Sequence, residues 1–400
     1  MSHPRNRTTN RTTNPAAPMD GGDVRGRPAG NRLSRCLVSG TPYLGAVIAL
    51  AAGLIVLSFA ISGPDVSEWA PTAMSNGDWT EPQKWAAMLY STGLTTMMSL
   101  PPVIAAYVAY STADRSAAIP GFLGGVAVII VEGGVLGGVI AGVIAGGAIL
   151  ALRRIPVTRA LQSTTTVLFP LLATVVTAFV TFAVVGSLLN FLANFLYSKM
   201  AAVQFQSTLV LGLVLGLMVS ADFGGLITKT AFRFGAVLLS GPDPTKFTPF
   251  NMTVMAAVMA AGMVPPLAMT LATVVRRHLF TEAERRYGKV SWLFGAAFIP
   301  EGAAPFALAD PLRVIPASMA GGAVTGALVM QLGSTVSYPR GGVFVADQIG
   351  APLLFAAAVA AGVLTTAAVT IGLKSLRRTA PATSTARAAT RSPKKAVAVG

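Results

Sequence analysis

The sequence has 400 residues, of which 53% are hydrophobic and only 11% are charged. Soluble domains carry charge on about a quarter of their residues, so this composition excludes a water-soluble globule of this size. The net charge is +15, and most of it lies in residues 1–36 and 374–400. Basic ends are typical of cytoplasmic segments. We therefore predict a multi-pass protein of the inner membrane, with both termini cytoplasmic and no nucleic-acid partner.

Apolar runs of about 20 residues, the length of a membrane helix, recur along the chain. The first is residues 43–62, and a second covers 86–112. The glycine-rich stretch 121–152 is interrupted at residues 132–134, which indicates two short helices or a re-entrant hairpin. Further apolar stretches follow at 165–189, 205–222, 252–275, 291–309, 314–332 and 350–373.

This pattern predicts an all-α polytopic membrane protein with about eight to ten transmembrane helices, some of them broken or re-entrant. The transmembrane domain is predicted to cover residues 37–375. The flanking segments 1–36 and 376–400 are rich in Arg, Thr, Pro and Ala, so we expect disordered cytoplasmic tails. The basic segment 276–289 between two apolar runs is predicted to be a cytoplasmic loop.

The stretch FIPEGAAPFALADPLRVIP, residues 298–316, places charges inside an apolar region. A charge at the bilayer centre costs about 2.5–3.5 kcal/mol on insertion scales. The prolines and Gly302 around Glu301 free backbone polar groups, so the segment should face protein or a water-filled cavity. A carboxylate there suits a ligand rich in hydroxyl groups, such as a sugar. The alternative is a structural ion pair of Glu301 with Arg313 or Lys229.

Two further polar segments interrupt apolar runs. In ADFGGLITKTAFRF, residues 221–234, Asp222, Gly224, Gly225 and Lys229 fit either a helix end with interfacial cations or a half-helix junction at a binding site. In YPRGGVFV, residues 338–345, Arg340 precedes two glycines. One cysteine and two histidines do not favour a metal site, and no cofactor is predicted.

Four segments in order resemble the membrane-spanning IIC subunit of the fructose class of the bacterial phosphoenolpyruvate-dependent sugar phosphotransferase system. They are AAYVAYSTADRSAAIPGFLGG, AAVMAAGMVPPLAM, FTEAERRYGKVSW and IPEGAAPFALADPLRVIPASMAG. The resemblance covers roughly residues 36–375. The chain departs from the family pattern at Pro300, Phe223, Leu226, Thr228 and Arg340. The resemblance therefore leaves the identity of the sugar and the retention of phosphotransfer open.

The resemblance implies a permease that binds a hexose, fructose by default, and carries it across the bilayer. A B-type subunit, which receives its phosphoryl group through A-type and phosphocarrier proteins, would then phosphorylate the sugar. The permease would be a homodimer. Cys36 and His278 do not lie in B- or A-type domains, so this chain is expected to have no phosphorylation site of its own. It would act as the membrane component of a sugar phosphotransferase.

By this resemblance Glu301 is the principal sugar ligand and the general base. The other predicted sugar-binding residues are Asp222, Gly224, Gly225, Lys229, Gly302, Asp310, Arg313 and Arg340. Arg313 is also placed to neutralise Asp310 on one helix face. On charge grounds alone, segment 276–289 is the predicted docking surface for the partner. Two alternatives remain: an ion-coupled secondary transporter of a sugar or polyol, and a non-transporting membrane sensor.

Overall fold

The structure, a computed structural model, describes residues 29–73, 79–156, 162–203, 207–239 and 247–376. Most of the predicted N-terminal tail and nearly all of the predicted C-terminal tail lie outside these residues, as do the chain termini. Helix α1 begins at Ala29, so the last part of the segment predicted as an N-terminal tail is helical.

The described residues form an almost entirely helical body, as predicted. The helices are α1 Ala29–Ser62, α2 Val66–Ala73, α3 Pro82–Met98, α4 Leu100–Ala113, α5 Arg115–Ile130, α6 Gly134–Leu152, α7 Gln162–Val180, α8 Ser187–Val203, α9 Thr208–Val219, α10 Leu226–Leu239, α11 Pro249–Val275, α12 Glu282–Ala296, α13 Ala304–Ala309, α14 Pro311–Leu332 and α15 Pro352–Ser375. A π-helical turn, Thr181–Gly186, joins α7 to α8. Short 3-10 segments cover Arg277–Leu279, Pro300–Ala303 and Gly342–Gln348. Strands β1 (Thr335–Val336) and β2 (Ile349–Gly350) form a small antiparallel pair.

Seven helical segments of the described chain are long and apolar enough to span a membrane, and α5 and α9 are shorter apolar helices. The protein is therefore a multi-pass membrane protein, as predicted. The predicted break at 132–134 is confirmed, because α5 ends at Ile130 and α6 begins at Gly134. The stretch predicted near 165–189 is longer, since the helical path continues through the π-helical turn to Val203.

The interruption of the apolar stretch 291–309 that the residues around Glu301 predict is present: α12 ends at Ala296, a 3-10 turn follows, and α13 ends at Ala309. Pro300 and Pro305 explain the division, since proline cannot donate the helical hydrogen bond. The segment 276–289 is not wholly a loop, because α12 begins at Glu282. Thr281 and Glu284 form a capping box there, which satisfies the first free backbone N–H groups of that helix.

Helix α11 forms the centre of the body, and residues 254–261 within it are fully buried. Helices α9 and α14 approach closely beside it through small residues. A Cβ atom on Gly216 would overlap the backbone of Gly322, and one on Gly212 would overlap Gly326. Such contacts replace the hydrophobic effect as a source of helix association in lipid. They hold α9 in place, and with it the broken segment that follows.

Candidate functional site

Three helix breaks and one loop meet at one side of α11. Residues between α9 and α10 include Phe223 and Gly224, both with positive φ (46° and 88°). Phe298, between α12 and the 3-10 turn, has φ 59°. Non-glycine residues rarely adopt this region, and such strained residues cluster at functional sites. The geometry indicates that both chain reversals are held in place by their surroundings.

The other two segments pack directly against these breaks. A Cβ atom on Gly134, at the start of α6, would lie 2.6 Å from the Cα atom of Gly225. A Cβ atom on Gly342 would lie 2.9 Å from the backbone nitrogen of Phe298 and would also overlap the carbonyl of Ala296. The polar segments that interrupt separate apolar runs in the sequence are therefore neighbours in the fold.

A cavity of about 200 Å³ lies among these breaks. Its charged lining residues are Glu301, Lys229 and Arg340. Its aromatic lining residues are Phe59, Tyr90, Phe232 and Phe298. Apolar walls with a few convergent polar groups are typical of small-molecule sites. The structure thus brings together four of the predicted site residues, Gly224, Lys229, Glu301 and Arg340, from three separate segments of the chain.

Glu301 lies on the 3-10 turn Pro300–Ala303 and is half-buried. Its carboxyl group lies against Gly224, where any Cβ atom would overlap it. Among the ion pairs of the described residues, none includes Glu301. Lys229 and Arg340 both interact with it electrostatically at longer range. The carboxylate therefore faces a cavity with cations nearby and has no ion-pair partner in contact.

Arg340 is held by two aromatic side chains. Its Nη1 donates a hydrogen bond of 3.1 Å to the Tyr90 hydroxyl, and its guanidinium lies 5.4 Å from the ring centroid of Phe232. Guanidinium groups stack on aromatic rings in this way, and lysine does not reproduce the geometry. Lys229, on α10, is exposed. One cation of the site is therefore held by aromatic side chains, and the other lies on an exposed side chain.

Asp222 is close to the site but does not line the cavity. Its Oδ2 accepts a hydrogen bond from the Ile227 backbone N–H (2.7 Å), and its Oδ1 accepts from the Thr228 backbone N–H (3.0 Å) and hydroxyl (2.5 Å). These bonds cap the N-terminus of α10. Gly225 packs against the same carboxylate, where a Cβ atom would lie 2.5 Å from Oδ2. In the structure Asp222 therefore fixes the backbone at the start of α10.

Asp310 and Arg313 lie outside the cavity lining and pair with each other, as the sequence predicts. Arg313 Nη1 lies 3.0 and 2.8 Å from the two Asp310 oxygens, and Arg313 Nε donates to the carbonyl of Leu373 (3.0 Å). Arg313 therefore does not form the structural pair with Glu301. Gly302 is buried beneath the cavity, where a Cβ atom would lie 2.7 Å from the Phe294 side chain.

Sequence reasoning missed two features. Tyr90 and Phe232, which hold Arg340, come from distant helices and carry no local signal. The buried ion pair between Lys374 and Glu284 (3.1 Å) was also missed. Lys374 lies in the last turn of α15, although the charge count assigned it to the basic C-terminal segment. The position of Lys374 at the end of an apolar run was the sequence signal that it belongs to the last helix.

Together, the spanning helices, the helix breaks and the cavity with a carboxylate define a membrane permease for a small polar solute. No family model matches the chain. It is 39% identical to the fructose permease IIC component of Bacillus amyloliquefaciens over 274 residues, which is 67% of this chain and 86% of that protein. It is 34% identical to the PTS system fructose-specific EIIC component of Haloferax volcanii over 356 residues, 82% of this chain and 87% of that protein.

The match to the fructose-specific EIIABC component of Bacillus subtilis covers 284 residues at 36% identity, which is 69% of this chain but only 43% of that longer protein. The chain belongs to the family of fructose permease IIC components of the PTS, the phosphotransferase system.

Proposed function

We propose that the chain is the membrane permease subunit of a sugar phosphotransferase system and that it binds a hexose in the Glu301 cavity. The observation that carries this proposal is a carboxylate that faces a cavity beside two cations and that has no ion-pair partner in contact among the described residues. Intramembrane ionisable groups in such places mark substrate pathways. The names of the relatives make fructose the first sugar to test.

Each charged lining residue has a separate task in this proposal. The two oxygens of Glu301 accept hydrogen bonds from sugar hydroxyls. Lys229 and Arg340 supply donors to sugar oxygens, and bonds to charged groups are the stronger kind. The rings of Phe59, Tyr90 and Phe232 line the cavity, where they pack against the apolar face of the sugar.

Phosphorylation of the sugar needs a partner protein as the phosphoryl donor. By the resemblance, this donor is a phosphorylated cysteine on a B-type subunit. In this step a sugar hydroxyl oxygen attacks the phosphorus, the phosphorus–sulfur bond breaks, and Glu301 accepts the hydroxyl proton as general base. Relatives named EIIABC and EIIB'BC support a B-type partner. The upstream A-type and phosphocarrier proteins and a homodimer remain parts of the same proposal.

The remaining predicted site residues take supporting roles in this proposal. Gly224 lets the Glu301 carboxyl approach the backbone, Asp222 and Gly225 fix the start of α10, and Gly302 allows the 3-10 turn to pack. Asp310 and Arg313 tie the start of α14 to the end of α15. The basic segment 276–289, which includes the start of α12, is the proposed docking surface for the B-type subunit.

Reconstitution tests this function. Vesicles that contain the protein and a cognate phosphorylated B-type subunit should accumulate fructose phosphate, and unphosphorylated subunit should give none. Free fructose accumulating with a proton gradient and without any phosphoryl donor would instead identify a secondary transporter. Retained fructose binding without any flux would identify a sensor.

A further inference from the structure

A second cavity, of about 740 Å³, lies between α1, α12 and α13. Its lining residues differ from those of the Glu301 cavity, although α1 and the segment after Pro300 contribute to both. The last residue of α1 that lines the second cavity is Ala49, and the first that lines the Glu301 cavity is Ile55. Six helical residues span about 9 Å. The two cavities therefore follow one another along the same helix.

Tyr287 of α12 lines the second cavity and lies within electrostatic range of Glu301, which lines the other cavity. The Tyr287 ring packs against Phe306 and Phe294, with ring centroids 5.6 and 6.2 Å apart. On the other side it contacts α1, where a Cβ atom on Gly45 would lie 3.3 Å from its Cδ2. The ring is thus fixed among three helices.

The hydroxyl of Tyr287 is the unusual part of this arrangement. It is buried and has no hydrogen-bond partner among the described residues, yet it interacts electrostatically with Glu301. An unpaired buried hydroxyl is destabilising and needs an explanation. A tyrosine hydroxyl both donates and accepts hydrogen bonds, as do the hydroxyls of a sugar. A sugar beside Glu301 would supply the missing partner.

The charges around the second cavity are neutralised in pairs. Glu284 pairs with Lys374, and Glu282 accepts a short hydrogen bond from Arg286. A cavity whose carboxylates are already neutralised, and whose lining also offers Thr281, suits an uncharged polyhydroxylated ligand. It offers no unpaired cation to hold a phosphorylated sugar.

We propose that the second cavity is a further site for the unphosphorylated hexose, continuous with the Glu301 site, and that the Tyr287 hydroxyl hydrogen-bonds the sugar at the boundary between them. The inference rests on the proposed function, since it requires that the Glu301 cavity binds a hexose. Tyr287 is then a sugar-positioning residue, and the second cavity receives the sugar on the side of the basic segment 276–289.

Replacing Tyr287→Phe tests the hydroxyl. The ring contacts remain, so the midpoint of thermal unfolding should not fall, and fructose affinity of the purified protein should weaken about tenfold, the loss of one good hydrogen bond. The matched control Tyr110→Phe, on the exposed face of α4, should bind as the wild type does. A purely structural tyrosine predicts unchanged fructose affinity in Tyr287→Phe, and that result would overturn the assignment.

Cysteine labelling tests the second cavity independently of Glu301. The sequence has a single cysteine, Cys36, so Ala49→Cys in a Cys36→Ser background reports on one wall of the cavity. Fructose should slow its reaction with a water-soluble thiol reagent several-fold. Ala60→Cys, which is exposed on α1 outside both cavities, should react at the same rate with and without the sugar. Equal labelling rates of Ala49→Cys with and without fructose would contradict the second site.

The two proposals fail in different ways. If the wild-type protein binds no hexose, the proposed function fails and takes this inference with it. If the wild type binds fructose while Tyr287→Phe binds equally well and Ala49→Cys is unprotected, only the inference fails.

Discussion

Two polar clusters within the apolar body differ in how their charges are satisfied. At the end of α15, Lys374 pairs with Glu284 at 3.1 Å, and both side chains are over 90% buried. Nearby, Arg313 pairs with Asp310 and also holds a backbone carbonyl of α15. These charges bind one another and join α12, α14 and α15.

The cluster around Glu301 has the opposite character. Its carboxylate faces a cavity, and its nearby cations, Lys229 and Arg340, are not in ion-pair contact with it. Burying a charge without a close partner is unfavourable unless something else solvates it. Paired charges in the first cluster therefore hold helices together, whereas the charges of the second cluster line the cavity where we propose that the sugar binds.

The largest expected effect belongs to the paired cluster. Replacing Glu284→Gln leaves Lys374 buried without a counter-charge, and breaking such a pair costs about 3–5 kcal/mol. We expect this loss in the free energy of unfolding, measured by SDS titration in mixed micelles. The control Glu282→Gln removes an exposed carboxylate two residues earlier on α12 and should leave stability unchanged. Equal stability of the two variants would show that the buried Glu284–Lys374 pair does not hold the helices together.

Gly224→Ala should act on the site cluster. The added Cβ atom would overlap the Glu301 carboxyl group, and the φ of 88° disfavours alanine. Displacing the carboxylate should weaken fructose binding about 100-fold, the loss of two hydrogen bonds, as measured by calorimetry. Gly147→Ala, where nothing lies within 4 Å, is the control and should bind normally. Normal binding by Gly224→Ala would show that the carboxyl position is unimportant.

Arg340→Lys sharpens the comparison, because it keeps the charge and removes the geometry. Lysine cannot stack on Phe232 and donate to Tyr90 as the guanidinium does. We expect fructose affinity to fall about tenfold while unfolding is little affected. If the lysine variant binds like the wild type, charge alone accounts for the role of Arg340.

Asp222→Ala should give the smallest effect. The variant loses the hydrogen bonds that cap α10, which is worth about 1 kcal/mol of stability, while Glu301 and Arg340 remain in place. The prediction is a lower unfolding midpoint in detergent with an affinity close to that of the wild type. An affinity loss as large as that of Gly224→Ala would place Asp222 in direct contact with the sugar.

Most of the helical framework could be predicted from the sequence, because long apolar runs and their glycine or proline interruptions are local signals. The break at 132–134 was found in this way. The start of α12 was missed because its charges resemble those of a loop. The capping box of Thr281 and Glu284 was the signal that marked a helix start.

The site could be predicted only in part. Glu301 and Arg340 stand out as charges in interrupted apolar segments, and the structure places both in one cavity. Tyr90 looks like an ordinary residue of an apolar run, and Tyr287 lies in the basic segment 276–289. Neither shows a local signal, because the arrangement around each depends on contacts between distant helices. Asp222 was predicted as a sugar ligand, but a one-dimensional pattern cannot tell a carboxylate that caps a helix from one that faces a cavity.

The most direct test of the account is a fructose titration of Glu301→Gln in lipid nanodiscs. Glutamine keeps the size of the side chain and removes the charge, so the protein should insert and unfold as the wild type does. Its fructose affinity should be at least about 100-fold weaker, because hydrogen bonds to a charged acceptor are the strong ones. Wild-type affinity in the glutamine variant would contradict the claim that this carboxylate binds the sugar.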